Sequence, residues 1–306
     1  MNGDDMVLEC LNKQQESLNM SHRGLVVLPP GVSRLITLKK LFLNNNKLIL
    51  PPDEVSHILK TSHIIYNNAY TSLFTILHLE KLEELTLDRN QLTILPGNIG
   101  SLKHLTYLGV NHNPLSVLPE AIGDLRQLRE LWAVGCGLVS IPSSIGKLGM
   151  LEKLGLHNNK ITHLPLQFGG LSNLQWLNLA DNKLQDLPED VNHLQSLVFM
   201  NLDKNCFTNI PTALTDMANL QILSVKFNSI RSLEDYLIPG FSRLIKLDLR
   251  ENPFMDRPPH WKVINQTATQ VFKYTTLMIL PLLFSVTCHI TSVHIQGLDF
   301  ILLGKV

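Results

Sequence analysis

The chain has 306 residues, which is enough for one large domain or two small ones. Its 26 Lys and Arg residues are balanced by 26 Asp and Glu residues. Nucleic-acid binding requires a clustered excess of Lys and Arg, so no nucleic-acid partner is expected.

Residues 1–14 begin with acidic residues, whereas a secretory signal peptide begins with basic residues followed by an apolar core. Cysteines are scattered without the paired spacing of a disulfide framework, at Cys10, Cys136, Cys206 and Cys288. Both features predict a reduced, cytoplasmic protein. Because Val7, Leu8 and Leu11 precede the first repeat, residues 1–14 are also predicted to form an N-terminal cap.

Leucine recurs every 23 residues from Leu82 to Leu220, six times in succession. Each of these leucines opens the phrase LxxLxLxxNxLxxLPxxIxxL, as in residues 151–171 and 174–194. A fixed period of this length predicts stacked leucine-rich repeats. The LxL core suits a short strand with one buried face, and the prolines exclude one long helix. The predicted fold is therefore an α/β leucine-rich-repeat solenoid of about ten repeats over residues 15–266, with a parallel sheet on the concave side and short helices or turns on the convex side.

The ninth place of the phrase is nearly always Asn, which has both a donor and an acceptor for backbone groups at the turn. Cys136 replaces it in one repeat and is predicted to be structural, since nothing nearby would lower the pKa of its thiol.

The repeat phase breaks once, between Leu38 and Leu82, which are 44 residues apart. Removing residues 58–78 restores the period, which predicts an insertion. The alternative is a degenerate repeat, favoured by the low charge of the segment and by suitably placed apolar residues such as Leu59 and Ile76. This alternative would raise the number of coils to eleven.

Residues at the third and fifth places of each phrase are predicted to face the concave side. There the sequence brings together Tyr107, Trp132, Trp176 and Phe199. Gly109 and Gly155, on coils next to Trp132, are expected to leave room for a partner side chain. A charged rim is expected around the aromatics, with Lys153 and Asp203 among its members. Exposed aromatics within a polar rim are typical of a protein-binding hot spot; the alternative is that the aromatics only pack on each other.

The tail, residues 267–306, departs from the repeat and is strongly apolar. Residues 277–295 approach the length of a membrane span, although Pro281, His289 and His294 weaken that interpretation. A capping segment and the product of an alternative or unspliced transcript are the other interpretations. The sequence leaves all three open.

Catalytic motifs such as HExxH, CxxC, GxSxG and the phosphate-binding loop GxxxxGK[ST] do not occur in the sequence. The histidines fall at unrelated repeat positions, and His112 and His157 are expected to be solvated. The chain is therefore predicted not to be an enzyme, with no cofactor and no metal site.

The phrase LPxxIGxLxxLxxLxLxxN, with LNMSHRGLVVLP at 18–29 and ENPF at 251–254, resembles the intracellular leucine-rich-repeat family that includes the Ras suppressor protein and the repeat domains of Scribble and Erbin. The resemblance implies a cytoplasmic scaffold or adaptor that binds a protein partner, in small-GTPase or phosphatase signalling. A membrane protein anchored through 277–295 is the alternative prediction, and a regulatory subunit of an enzyme is a third.

Overall fold

Each repeat contributes one short strand, because its central leucine alternates with two residues that face away from the core. The computed structural model describes residues 3–49 and 73–254, all within the unit formed by residues 1–259. Within these ranges, ten strands form one parallel sheet in chain order. They are β1 Ser17–Asn19, β2 Lys40–Phe42, β3 Glu84–Thr86, β4 Tyr107–Gly109, β5 Glu130–Trp132, β6 Lys153–Gly155, β7 Trp176–Asn178, β8 Phe199–Asn201, β9 Ile222–Ser224 and β10 Lys246–Asp248.

A short 3-10 helix follows most strands on the far side of the coil, usually directly after the proline of the repeat. Proline fixes φ and removes a donor, which favours such a turn over a further strand. The helices are η1 Pro30–Arg34, η2 Leu73–His78, η3 Ile99–Ser101, η4 Glu120–Asp124, η5 Ser143–Lys147, η6 Leu166–Gly170, η7 Glu189–His193, η8 Thr212–Asp216 and η9 Asp235–Phe241. The predicted solenoid with strands on one side and short turns on the other is confirmed.

The core is a stack of leucines, aligned by strand pairing that keeps equivalent positions opposite each other. Leu131 pairs with Leu154, which pairs with Leu177, and all three side chains are fully buried. We number the positions of each coil from the leucine that opens the phrase, so that these residues are at position 4 and the recurrent Asn is at position 9. Coils are counted in chain order, with β1 in coil 1 and β10 in coil 10.

The Asn at position 9 joins neighbouring coils. Asn182 Nδ2 donates to the carbonyls of Leu156 and Leu179, each at 3.0 Å, and its Oδ1 accepts the amide of Ile161 at 3.0 Å. A buried carbonyl or amide without a partner is costly, so this one side chain stabilises three backbone groups. The predicted role of the Asn at the turn is confirmed.

The N-terminal helix α1, Gly3–Asn12, precedes the first coil and buries Val7 and Cys10. The close approach of Val7 to Gly31 marks the contact with the first coil, since a Cβ added to Gly31 would come 2.9 Å from Val7 Cγ1. Leu8, expected to help cover the apolar end, is instead 52% exposed. Cys10 occupies the inward position because it follows Val7 by three residues on the same face of the helix.

Strand β2 pairs directly with β3, with Leu41 opposite Leu85. An eleventh strand therefore does not lie between them in the sheet, and the choice between an insertion and a degenerate repeat that bulges from the stack stays a prediction. Within the predicted insertion 58–78, residues 73–78 form η2, and Ile76 is fully buried as part of a regular coil. Residues 58–72 lie outside the described residues, as do 255–306, so the end of the repeats at 266 and the nature of the tail stay predictions.

Candidate functional site

Three aromatic rings stack across the strand face of the sheet. Trp176 and Phe199 occupy equivalent positions on β7 and β8, which the register places side by side. Their ring centroids are 5.4 Å apart and their planes differ by 6°. Trp132, two strands away from Trp176 on β5, reaches across β6, and its centroid lies 5.2 Å from that of Trp176 at an interplanar angle of 45°. Trp132, Trp176 and Phe199 are called the aromatic surface below.

Gly155 on β6 makes this contact possible. A Cβ added to Gly155 would come 2.4 Å from Trp132 Cε3, so the indole fills the space above the glycine. The space above Gly109 is also filled, since an added Cβ would lie 3.1 Å from Asp88 Oδ1 and 3.3 Å from Tyr107 Cε1. The expectation that these glycines leave room for a partner side chain is wrong.

Tyr107 stands apart from the three stacked rings. Within the part of the chain that the structure describes, its ring makes no ring-to-ring contact. Burial raises the pKa of the Tyr107 phenol well above its ordinary value, and the nearby carboxylates of Asp88, Glu130 and Glu84 raise it further. The phenol is therefore neutral at physiological pH and available as a half-buried hydrogen-bonding group on the same face.

Lys153 belongs to a polar bridge at one side of the aromatic surface. Glu130 Oε2 accepts the Trp132 indole N–H at 3.1 Å, and Glu130 Oε1 accepts Lys153 Nζ at 2.9 Å. The Lys153 and Glu130 side chains are 26% and 20% exposed. The bridge fixes the orientation of the indole, and it partly neutralises the Lys153 charge that was predicted for the rim.

Asp203 is not an exposed member of that rim. It is 9% exposed, and its Oδ1 accepts the Ser224 hydroxyl at 2.6 Å and the Lys226 amide at 2.7 Å. Lys226 Nζ lies 3.5 Å from Oδ2. The carboxylate therefore ties coil 8 to coil 9, and the exposed position predicted for Asp203 is wrong.

Side chains at position 7 also join neighbouring coils elsewhere in the solenoid, because each accepts a backbone amide of the next coil. Asn44 Oδ1 accepts the amide of Asp88, Asp88 Oδ1 accepts that of Asn111, and Asn111 Oδ1 accepts that of Val134. The signal was available in the sequence, as a recurrent Asn or Asp two places before the position-9 Asn. Asp203 shares that position, which would have marked it as structural.

His157 also occupies position 7, but it does not join this series. Its Nδ1 is buried and has no hydrogen-bond partner within the described ranges. Burial lowers the pKa of His157; nearby His112 lowers it further, whereas Asp181 raises it. The expectation of a solvated histidine is wrong for His157, although His112 is exposed.

Cys136 takes part of the role of the missing Asn. Its Sγ donates to the Val110 carbonyl at 3.3 Å, where an Asn would place its amide. Burial raises the pKa of the thiol to about 11, so the nucleophilic thiolate is scarce at neutral pH. This environment is that of a structural cysteine.

Residues 3–49 and 73–254 contain no group of three or more His, Cys, Asp or Glu side chains placed to hold a metal ion. No helix among them is long and apolar enough to cross a bilayer. The candidate anchor 277–295 lies outside the described residues.

The fold and the stacked strand face define a leucine-rich-repeat protein. The family profile described as "Leucine-rich repeat region" matches residues 54–159 and 143–249, which together exceed half of the chain. The chain belongs to the leucine-rich-repeat family.

Two solved leucine-rich-repeat structures are similar to most of this chain. A leucine-rich-repeat protein of Leptospira interrogans is 27% identical with a TM-score of 0.57, over 82% of this chain and 71% of its own. The ectodomain of the Arabidopsis thaliana receptor kinase GASSHO1/SCHENGEN3, solved with CASPARIAN STRIP INTEGRITY FACTOR 2, is 30% identical with a TM-score of 0.62, over 78% of this chain and 27% of its own.

One curated relative is an enzyme. Adenylate cyclase of Schizosaccharomyces pombe is 35% identical over 102 residues, which are 31% of this chain and 6% of the cyclase. The chain spans so little of the cyclase that the match does not extend cyclase activity to it. The repeat fold itself is one that typically serves protein–protein interaction.

Proposed function

We propose that the chain is a scaffold or adaptor that binds a protein partner on the strand face of the sheet, with the aromatic surface at the centre of the contact. The observation that carries the proposal is the stack of Trp132, Trp176 and Phe199. Each side chain keeps part of its area accessible, although each ring already contacts another. Trp and Tyr are enriched among the residues that contribute most to protein binding.

Rigidity favours this function. Trp132 is held by Gly155 beneath it and by Glu130 at its indole N–H, and Trp176 lies between two other rings. Side chains that are ordered before association lose less conformational freedom when a partner binds. Tyr107 and Lys153 flank the surface on the same face and supply polar groups for its periphery.

Partner class and location follow from the family resemblance of the sequence rather than from the geometry. A small GTPase or a phosphatase as partner, and a cytoplasmic location, are therefore part of the proposal. The receptor ectodomain of Arabidopsis thaliana, a structural neighbour, was solved in complex with CASPARIAN STRIP INTEGRITY FACTOR 2, which supports a binding role for such repeats.

The experiment compares proteins captured by the full chain and by its Trp176→Ala/Phe199→Ala variant, and then measures Kd for each purified candidate. A partner of the aromatic surface should bind the double variant with a loss of about 2 kcal/mol or more per anchor residue. Tyr236→Ala is the matched control, since Tyr236 is an aromatic residue 70% exposed in η9. Normal affinity of the folded double variant for every candidate would contradict the proposal.

A further inference from the structure

Lysines form a basic edge along the turns that follow the strands. Lys160 and Lys183 occupy position 10 of coils 6 and 7, and Lys204 occupies position 8 of coil 8. All three side chains are exposed, and none forms an ion pair within the ranges that the structure describes. These three lysines are called the basic edge below.

Backbone geometry fixes the position of this edge. Residues at position 8 adopt a left-handed conformation, with φ of 58° at Asn158, 55° at Asp181 and 53° at Lys204. The chain therefore turns sharply after each strand in the same way. Lys160 and Lys183 take equivalent positions two residues after this turn, and Lys204 is itself the left-handed turn residue of coil 8. Lys204 is held further by Phe227 of the next coil, whose ring centroid lies 6.0 Å from Nζ.

The basic edge lies on the same coils as the aromatic surface. Trp176 and Phe199 belong to coils 7 and 8, and Trp132 reaches over coil 6. Along coil 8, Phe199 and Lys204 are five residues apart, which is at most about 17 Å of extended chain. A peptide of about five or six extended residues could therefore contact both features at once.

The charges around the basic edge are unbalanced, although the chain as a whole is neutral. The helices of the far side carry charges of both signs, with Glu120 and Glu189 in η4 and η7 and Lys147 in η5. On the turn side, exposed Asp181 is the acidic neighbour of the basic edge, and Asp203 is already paired with Lys226. The basic edge thus retains an excess of positive charge beside an apolar centre.

We propose that the partner segment held by the aromatic surface is an acidic peptide with an aromatic or branched apolar anchor. This inference rests on the proposed function and specifies the chemistry of the partner. The anchor packs on Trp176 and Phe199, while carboxylates of the same segment approach Lys160, Lys183 and Lys204. Complementary charge of this kind selects partners and accelerates association more than it adds affinity.

The test uses the full chain as bait for a displayed library of random peptides of about twelve residues, long enough to span both features. The enriched peptides should be net acidic and contain at least one aromatic or branched apolar residue. Synthetic versions of the enriched peptides should bind about tenfold more weakly or worse to Lys160→Glu/Lys183→Glu/Lys204→Glu. The matched control, Lys81→Glu/Lys103→Glu/Lys147→Glu, changes the same charge at exposed lysines elsewhere and should keep the wild-type affinity.

Other outcomes overturn the inference in distinguishable ways. Enriched peptides that are neutral or basic, yet lose binding in Trp176→Ala/Phe199→Ala, would refute the acidic partner and leave the proposed function standing. Peptides indifferent to both sets of substitutions, or no enrichment at all, would count against the aromatic surface as well. Binding of a labelled single-stranded oligonucleotide at physiological salt, lost in the Lys160/Lys183/Lys204 variant, would instead assign the basic edge to nucleic acid.

Discussion

The Trp132 indole lies over Gly155 of the next strand, where a Cβ would come 2.4 Å from Trp132 Cε3. Gly155→Ala should therefore push the indole away from Trp176 at a cost of about 1 kcal/mol, because the ring can shift while the backbone stays in place. Near-ultraviolet circular dichroism should report the broken stack, and denaturant unfolding should report the modest loss of stability.

Two other glycines provide comparison variants for this prediction. A Cβ at Gly149 would meet nothing within 4 Å, whereas a Cβ at Gly146 would come 1.9 Å from the Gln167 carbonyl oxygen. Gly149→Ala should be nearly neutral, and Gly146→Ala should be the most destabilising of the three, since a backbone group cannot move aside locally. An unchanged aromatic spectrum in Gly155→Ala would contradict the stacked arrangement.

The repeat frame could be predicted from the sequence, because the period of the leucines determines which residues pair. Leu154 and Leu177 lie opposite each other, as their 23-residue separation requires. Whether the space above each glycine is filled could not be predicted, because it depends on the side-chain rotamers of Trp132 above Gly155 and of Tyr107 above Gly109. A large ring beside a glycine can either leave a gap or fill it, and spacing alone does not distinguish the two.

For the polar residues, prediction from the sequence failed for a different reason. Asp203 has the composition of a rim residue, but Ser224 and the Lys226 amide in the next coil satisfy its carboxylate. Position within the coil would have revealed this, whereas residue type suggested the opposite. The phase break was harder to place, since Ile76, which the sequence assigns to the predicted insertion, is fully buried in the core.

Truncation of a core leucine should have a far larger effect than any change on the surface. Leu177→Ala removes a fully buried side chain and should lower the free energy of unfolding by about 2–5 kcal/mol. Since each coil contacts only its neighbours, unfolding of the variant should begin near coil 7 and lose cooperativity. Leu166→Ala, at a residue 61% exposed, is the control for denaturant titration, and equal stability of the two variants would refute the repeat frame.

Removal of a position-9 Asn should also be costly. Asn182→Ala leaves the Leu156 and Leu179 carbonyls and the Ile161 amide without their side-chain partner. The free energy of unfolding should fall by at least about 2 kcal/mol, since each buried group left unsatisfied costs about 1–3 kcal/mol. Denaturant unfolding measures the loss, and hydrogen exchange at Ile161 should accelerate.

Cys136→Asn tests the same interaction by introducing an Asn at position 9 of the coil that lacks one. The Leu115 amide, which an Asn Oδ1 in coil 5 would accept, now bonds the Asn113 carbonyl at 2.9 Å. Restoring the amide should stabilise the chain by about 0.5–1.5 kcal/mol, the net contribution of one hydrogen bond. A stability below that of the wild type would show that this turn is adapted to cysteine.

Stability should depend on pH through His157, whose pKa is lowered mainly by burial. The unfolded chain, with an ordinary His pKa of 6.5, then binds more protons than the folded chain just below that pH. Stability is therefore fully present above about pH 6.5 and is lost as the pH falls through the lower folded-state pKa. His157→Gln should remove part of this loss in denaturant titrations performed at a series of pH values, because Gln has no charged form.

His193→Gln, on the exposed surface of η7, should keep the wild-type pH profile. A profile unchanged in His157→Gln would mean that the buried Nδ1 finds a partner in solution.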